Sequence, residues 1–229
     1  MKEPPNWVDT HYSGEFLNLE PLTGVNEVWI KQQPADVVEV RTEGTITNQH
    51  LLLNKEGQKM FVAHEEVDSQ AKVFNKARGY VMHLYDRCEQ EVIRLTRPYK
   101  FCTGFCWCAA INHCSIHIDV EAPVGQLIGT VKQGVSCWSP EFDVVDADER
   151  KLFHIPIPIG PAAAIHIWKV NEHSASSVGI ITRDMRDPKV VVTFPSDLNV
   201  KYKALLLGAA FLIMNLVFVD EGPQWTYQQ

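Results

Sequence analysis

The chain has 229 residues, 45% of them hydrophobic, and 21 basic and 28 acidic side chains give it a formal net charge of −7. This apolar content suits a packed globular core and excludes a wholly disordered chain. Phosphate contact needs a positive field, so an acidic chain without a basic block is not expected to bind nucleic acid.

Residues 1–24 are polar and include Pro4 and Pro5, which predicts a loosely held entry segment. They contain no apolar run of the secretory type, so we do not expect secretion. The six cysteines are not needed to hold up a fold of this size, and free thiols on the cytosolic side are expected. We expect a single domain over 25–222 and a short tail over 223–229.

Short apolar runs with turn signals between them recur from residue 25 onward. Some alternate in the manner of a half-buried strand, as in 115–122, where Ile116, Ile118 and Val120 share one face. Their density predicts a mainly β fold, a sandwich or a barrel. The predicted strands are 25–33, 36–43, 48–54, 59–64, 79–86, 91–97, 115–122, 126–132, 141–146, 151–157, 164–170, 177–182 and 189–194.

Three of the predicted turns are alike. Each opens with Asn54, Asp86 or Asp146 after an apolar residue, continues as a short polar loop and ends in a new apolar run. Asn and Asp open such turns by hydrogen bonding their own backbone. The spacings of 32 and 60 residues indicate a repeated hairpin unit of about 30 residues.

The pattern changes at 204–219, 16 residues that contain one polar member, Asn215, and no charge. A helix here is ~24 Å long and apolar all round, so it must be buried in protein or in lipid. The run is shorter than the about 20 residues of a typical span, but Lys201 and Lys203 before it fit the positive-inside rule. A core helix over about 201–219 and a membrane helix therefore both stay open. The residues expected to carry this burial are Ala204, Leu205, Leu206, Leu207, Gly208, Phe211, Leu212, Ile213, Leu216 and Phe218.

Residues 99–117 contain the densest chemical signal, cysteines set among aromatic side chains. Exposed thiols in such surroundings near a membrane are typical of S-acylation, here at Cys102, Cys106 and Cys108. The alternatives are unmodified thiols in a hairpin and a zinc site. Zinc needs four converging ligands, and the second candidate pair, Cys114 and His117, is too close for us to expect zinc.

The chain lacks a G-x-S-x-G elbow, a P-loop and the second histidine of a zinc protease motif. We therefore do not expect an enzyme.

Four segments resemble motifs of the phospholipid scramblase family. They are 25–33 (VNEVWIKQQ), 90–98 (QEVIRLTRP), 118–129 (IDVEAPVGQLIG) and 194–213 (FPSDLNVKYKALLLGAAFLI). The resemblance covers roughly residues 24–222. It implies a Tubby-like fold, a closed antiparallel β-barrel around a hydrophobic C-terminal helix. It also implies an anionic membrane as partner, at the cytoplasmic face of the plasma membrane or of another intracellular membrane, and calcium-triggered, ATP-independent movement of phospholipids between leaflets.

Two family features are degraded in this chain. Arg186 and Pro188 stand where the resemblance implies two calcium-binding aspartates, so Asp187 and Asp197 remain as a weak calcium pair. Of the family's proline-rich tail only Pro4-Pro5-Asn6-Trp7 is present, so proline-rich adaptor contacts are not expected.

The leading hypothesis is a scramblase whose helix either inserts in lipid or stays inside the barrel. A sealed barrel gives headgroups no path, so the second version needs a groove, a homo-oligomer or a partner. The alternatives are a lipid-binding or adaptor module without transport and a zinc-stabilised structural protein.

Overall fold

The computed structural model describes Trp7 and residues 17–33, 46–66, 78–100, 114–136, 139–159, 164–170, 177–184 and 187–218. A 3₁₀ helix, Leu17–Leu22, precedes twelve strands in this part of the chain. The strands are β1 (Glu27–Gln32), β2 (Ile46–Asn54), β3 (Lys59–Glu66), β4 (Tyr80–Tyr85), β5 (Glu91–Arg97), β6 (His117–Glu121), β7 (Leu127–Gln133), β8 (Glu141–Asp146), β9 (Lys151–Pro156), β10 (Ala164–Lys169), β11 (Gly179–Asp184) and β12 (Lys189–Thr193). The chain ends its described part in helix α1 (Val200–Ile213), continued by a π-helical turn, Met214–Phe218.

The twelve strands form a closed antiparallel barrel in which each strand pairs with its neighbours in sequence. The ring closes between β1 and β12, where Trp29 lies opposite Val191. Closure removes the unpaired strand edges on which other chains could add. The predicted mainly β barrel is therefore confirmed, and each observed strand matches a predicted one within two residues at either end. The thirteenth predicted strand, 36–43, lies outside the described residues.

Three hairpins share one turn, which explains the sequence repeat, and a fourth hairpin has a related turn. In the turn opened by Asp86, the Oδ1 atom accepts hydrogen bonds from the backbone N–H groups of Cys88 and Gln90, at 2.8 and 2.9 Å. Both side-chain bonds recur at Asp146, and at Asn54 the Oδ1 atom accepts from the Gln58 N–H. The backbone hydrogen bonds are the same in all three turns. A fourth turn begins at Ala122, whose N–H donates to the Gln126 carbonyl as in the other three, but its Ala122–Pro123 peptide bond is cis and its second hydrogen bond runs from Gln126 N–H to the Pro123 carbonyl. It was not among the predicted repeats, because alanine has no side-chain acceptor to mark it. In each turn the fourth residue has a positive φ; these residues are Gly57, Glu89, Gly125 and Glu149.

The two ends of the barrel differ. These four turns lie at one end, which we call the turn end. The strands β5, β7 and β9 leave the barrel at the opposite end, which we call the loop end, because their connections are longer there.

Helix α1 fills the barrel from the turn end to the loop end. Every residue from Lys203 to Ile213 is buried, as are Leu216 and Phe218. Packing is so close that a Cβ atom on Gly208 would lie 2.7 Å from Val120 Cγ2, so a larger residue here would force Val120 or the helix to shift. The core alternative for this run is thus the arrangement that the structure adopts.

Composition alone does not separate the two alternatives. Within the described residues, one helical stretch, Val200–Phe218, has the length and the mean hydropathy, 1.6, to cross a bilayer. Of its most apolar window, 67% is buried inside the barrel. Its apolar surface is therefore satisfied by protein in this fold.

Candidate functional site

The N-terminal end of helix α1 is anchored by a buried lysine. The Lys203 Nζ atom donates hydrogen bonds to the carbonyl oxygens of Leu22, Val25 and Ser196, at 3.0, 2.7 and 2.8 Å. An ammonium group has three donors, so all are used. Burial lowers the pKa of Lys203, and the nearby Asp197 carboxylate partly opposes this. These bonds join the helix to the segment that leads into β1.

The sequence analysis treats Lys203 only as one of two positive charges before the apolar run. Its burial could have been inferred, because Lys201 and Lys203 are two positions apart and point to different sides of a helix. If the helix sits inside a barrel, a lysine that points into the core must find acceptors there.

The C-terminal end of the helix is anchored by an arginine from the barrel wall. Arg183, near the end of β11, donates a 2.5 Å hydrogen bond from Nη1 to the carbonyl oxygen of Phe218. Its guanidinium group also lies 5.9 Å from the centre of the Phe218 ring. A cation at a helix C-terminus satisfies an orphan carbonyl and the negative end of the helix dipole. Cationic side chains therefore hold the helix at both ends.

Below the loop end the barrel interior is polar. Glu65 is buried and accepts hydrogen bonds from Arg78 Nη2, at 2.6 Å, and from Asn48 Nδ2, at 2.5 Å. The buried Arg97 guanidinium lies 5.7 Å from the centre of the Tyr80 ring. Burial raises the pKa of Tyr80 to about 12, so this phenol stays neutral at physiological pH. These groups lie beside the last turns of the helix.

Asn215, the polar member of the apolar run, has a local role. Its Nδ2 atom donates to the carbonyl oxygen of Phe211 at 3.0 Å, within the π-helical turn. His50 packs edge-on against the Phe211 ring, with ring centres 5.6 Å apart. Burial lowers the pKa of His50 to about 4, so the imidazole is neutral at pH 7.

The two predicted calcium residues do not meet. Asp187 precedes β12 at the loop end, whereas Asp197 follows β12 at the turn end. The strand between them has five residues, so the carboxylates are separated by roughly 16 Å of strand. Residues ten apart in sequence were expected to be neighbours, and the extended strand that separates them is the reason they are not.

The Asp187 carboxylate forms ion pairs with two lysines instead. Its Oδ2 atom lies 2.8 Å from Lys31 Nζ and 3.4 Å from Lys189 Nζ. The hydrogen bond from Lys31 is the main cause that lowers the pKa of Asp187. Two cations in contact with one carboxylate do not fit a calcium ligand shell. Among the described residues, no three His, Cys, Asp or Glu side chains are grouped to hold a metal ion.

The candidate acylation sites Cys102, Cys106 and Cys108 lie outside the described residues. The nearest described residues on either side, Lys100 and Cys114, belong to the connection from β5 to β6 at the loop end. S-acylation at these cysteines, and the zinc alternative, stay predictions.

The comparisons with known proteins agree with the motifs. A family model described as Scramblase matches residues 13–220. Phospholipid scramblase 1 of Homo sapiens is 28% identical over 222 residues, which cover 90% of this chain and 67% of that protein. Phospholipid scramblase 2 of Bos taurus is 27% identical, covering 87% of this chain and 71% of that protein. Phospholipid scramblase family member 5 of Homo sapiens is 24% identical, covering 87% and 76%. No solved structure matches the chain.

Proposed function

The chain belongs to the scramblase family, and on this premise we propose that it moves phospholipids between membrane leaflets without ATP, as a transporter without covalent chemistry. Its place of action is the cytoplasmic face of the plasma membrane or of another intracellular membrane. The observation that carries the mechanism is the burial of helix α1 between two anchored ends. The unit that meets the lipid is the barrel with its helix inside.

The burial of helix α1 inside the barrel restricts the path that a phospholipid headgroup can take. Apart from the polar groups below the loop end, the interior is filled by apolar side chains from the wall and the helix. A charged headgroup that crossed this apolar part would lose its hydration without compensation. The headgroup path therefore runs along the outer wall of the barrel, between copies of the chain or against a partner. A homo-oligomer supplies such a path without another protein.

Two signals attach the protein to the membrane in this proposal. Acyl chains on Cys102, Cys106 and Cys108 are the first, and attraction to anionic lipid is the second. A single acyl chain gives only marginal, reversible binding, so stable attachment takes two signals. We assign the headgroup contact to Lys100, which follows β5 at the loop end, because a cation near an anionic surface gains about 1 kcal/mol. Arg78, another basic residue at this end, is bonded to Glu65.

Calcium is not part of the proposed mechanism. The resemblance implies a calcium trigger, but Asp187 is held by Lys31 and Lys189 and lies far from Asp197. We therefore propose scrambling that does not depend on calcium binding at this pair.

A dithionite-quench assay tests the proposal. The purified chain is reconstituted into liposomes that contain a labelled phospholipid, with calcium or with a chelator, and protein-free liposomes are the control. We expect loss of inner-leaflet protection at equal rates in both conditions. Loss only with calcium, abolished by Asp187→Asn, would contradict the calcium-independent mechanism.

A non-transporting lipid-binding module is the second candidate, and the sealed barrel interior favours it. Liposome binding by folded protein without loss of protection in either condition would establish it in place of the scramblase. A zinc-stabilised structural protein would instead show about one equivalent of zinc in metal analysis of the purified chain.

A further inference from the structure

Among the residues that the structure describes, three large apolar side chains are exposed at the loop end, on the connections that follow β5, β7 and β9. Tyr99 follows β5, Val135 follows β7 and Ile159 follows β9, and they are 45%, 57% and 81% exposed. Because β5, β7 and β9 run in the same direction, their C-terminal ends lie side by side at one rim. We call Tyr99, Val135 and Ile159 the apolar rim.

The rim lies in a region almost without charge. The described parts of these connections, 98–100, 114–116, 134–136, 139–140 and 157–159, contain no acidic residue and one charged side chain, Lys100. The described parts of these connections place Lys100 next to Tyr99 on the rim. An uncharged surface with exposed apolar side chains and one cation is unusual for a chain that is 21% charged.

The opposite end has the reverse character. The four turns of the turn end, 54–58, 86–90, 122–126 and 146–150, contain six acidic and three basic side chains. In the described part of the chain, Leu127 is the large apolar side chain exposed near them, at 46% exposure. An anionic lipid surface would repel these turns more strongly than it would repel the described residues of the apolar rim.

We infer that the apolar rim is the surface that docks on an anionic phospholipid membrane, with Tyr99, Val135 and Ile159 inserted at the level of the headgroups. Tyrosine suits this depth, because its ring is apolar and its hydroxyl stays hydrated. Lys100 beside it gains from the negative surface potential. The barrel then has the apolar rim on the membrane and its acidic turns in the solvent.

This inference rests on the proposed function and adds to it the face that touches lipid. It also assigns an anchor that does not require acylation, since the rim side chains belong to the unmodified chain. The connection that carries the candidate acylation sites begins at the same rim, so acyl chains there would enter the same membrane.

The test compares single substitutions that each add one negative charge at an exposed apolar position. Ile159→Glu and Val135→Glu change the rim, and Leu127→Glu is the matched control at the turn end. Each full-length variant is produced without acyltransferases and sedimented with vesicles of phosphatidylcholine and phosphatidylserine. We expect each rim variant to bind about tenfold more weakly than the unsubstituted chain, and Leu127→Glu to bind as the unsubstituted chain does.

The inference fails if both rim variants bind as the unsubstituted chain does, if Leu127→Glu weakens binding as much, or if the unsubstituted chain does not bind these vesicles. It also fails if the rim joins two copies, which would appear as a dimer that Ile159→Glu converts to a monomer. At 81% exposure Ile159 has little packing to lose, and equal urea midpoints confirm that its variant folds. Normal rim-dependent binding without lipid movement would refute the proposed transport and leave the docking surface intact.

Discussion

The ammonium group of Lys203 lies 2.7 Å from the carbonyl oxygen of Val25, 178 positions earlier in the chain. This contact joins the buried helix to the segment that enters the first strand, so the two ends of the fold stabilise each other. Because the Lys203 ammonium group is buried away from water, its contribution to the stability of the fold depends on its three carbonyl acceptors.

Lys203→Ala should strongly destabilise the barrel. It leaves three backbone carbonyls without their donor and opens a cavity, which we expect to lower the free energy of unfolding by about 2–4 kcal/mol. Urea denaturation measures this. Lys201→Ala, two positions earlier and partly exposed, is the control and should change stability by less than about 0.5 kcal/mol. Equal effects of the two substitutions would mean that Lys203 does not anchor the helix.

Buried His50 should make the fold acid-sensitive. Burial lowers its folded-state pKa to about 4 from the ordinary 6.5, so the unfolded chain binds the additional proton. The stability linked to neutral His50 is therefore complete above pH 6.5 and is lost as the pH falls towards 4. By pH 5 the loss is about 2 kcal/mol.

The measurement is urea denaturation at pH 7 and pH 5 for the unsubstituted chain, His50→Leu and His166→Gln. The leucine cannot titrate, so His50→Leu should lose about 2 kcal/mol less between the two pH values. His166 is exposed, and its variant should follow the unsubstituted chain. Parallel pH dependence in all three proteins would refute the assignment to His50.

The barrel wall could be predicted from sequence because burial on one side forces alternation. Strand β6 shows this, since its inward residues Ile118 and Val120 are buried and its outward residues are partly exposed. The turns could also be predicted where Asn or Asp supplies a side-chain acceptor. The turn at Ala122 could not, because alanine has no such acceptor. The residues that form the helix could be predicted, but whether the helix lies in the barrel core or in a membrane could not, because a run that is apolar on every side suits both surroundings equally.

The candidate site was harder to predict, because it depends on which end of the barrel each strand reaches, and this follows from the topology of the barrel. Asp187 and Asp197 are close in sequence, but a strand between them sends them to opposite ends of the barrel. Tyr99, Val135 and Ile159 are far apart in sequence, and only the shared direction of their strands brings them to one rim.

Arg183 should hold the last turns of the helix in place. Arg183→Met removes the hydrogen bond to the Phe218 carbonyl and the positive charge at the helix C-terminus. We expect this to weaken the local fold by about 1–2 kcal/mol, which corresponds to roughly 5- to 30-fold faster amide exchange. Hydrogen exchange of a peptide covering 211–218 measures it.

The control is Arg94→Met, which removes an arginine that pairs with Glu91 on the barrel wall. That variant should leave exchange in 211–218 unchanged. If exchange over 211–218 is the same in Arg183→Met as in the unsubstituted chain, the helix end is held by its apolar contacts instead.

Gly208 separates a helix that works inside the barrel from one that works in lipid. An added Cβ atom would lie 2.7 Å from Val120 Cγ2, so Gly208→Ala should destabilise the barrel by about 1–3 kcal/mol. Val120→Ala removes the clashing methyl group, and the double variant should be more stable than the sum of the single effects predicts, which is the sign of a direct contact. Urea denaturation of the four proteins gives this coupling.

Scrambling by the same four proteins then reports the working state of the helix. If the helix acts inside the barrel, activity should fall in Gly208→Ala and recover in the double variant together with stability. In a lipid-embedded helix the alanine would meet no Val120, and its higher helix propensity would leave activity unchanged or raised. Full activity of a destabilised Gly208→Ala protein would therefore show that the helix leaves the barrel to act, because the contact that restrains it there would not matter for transport.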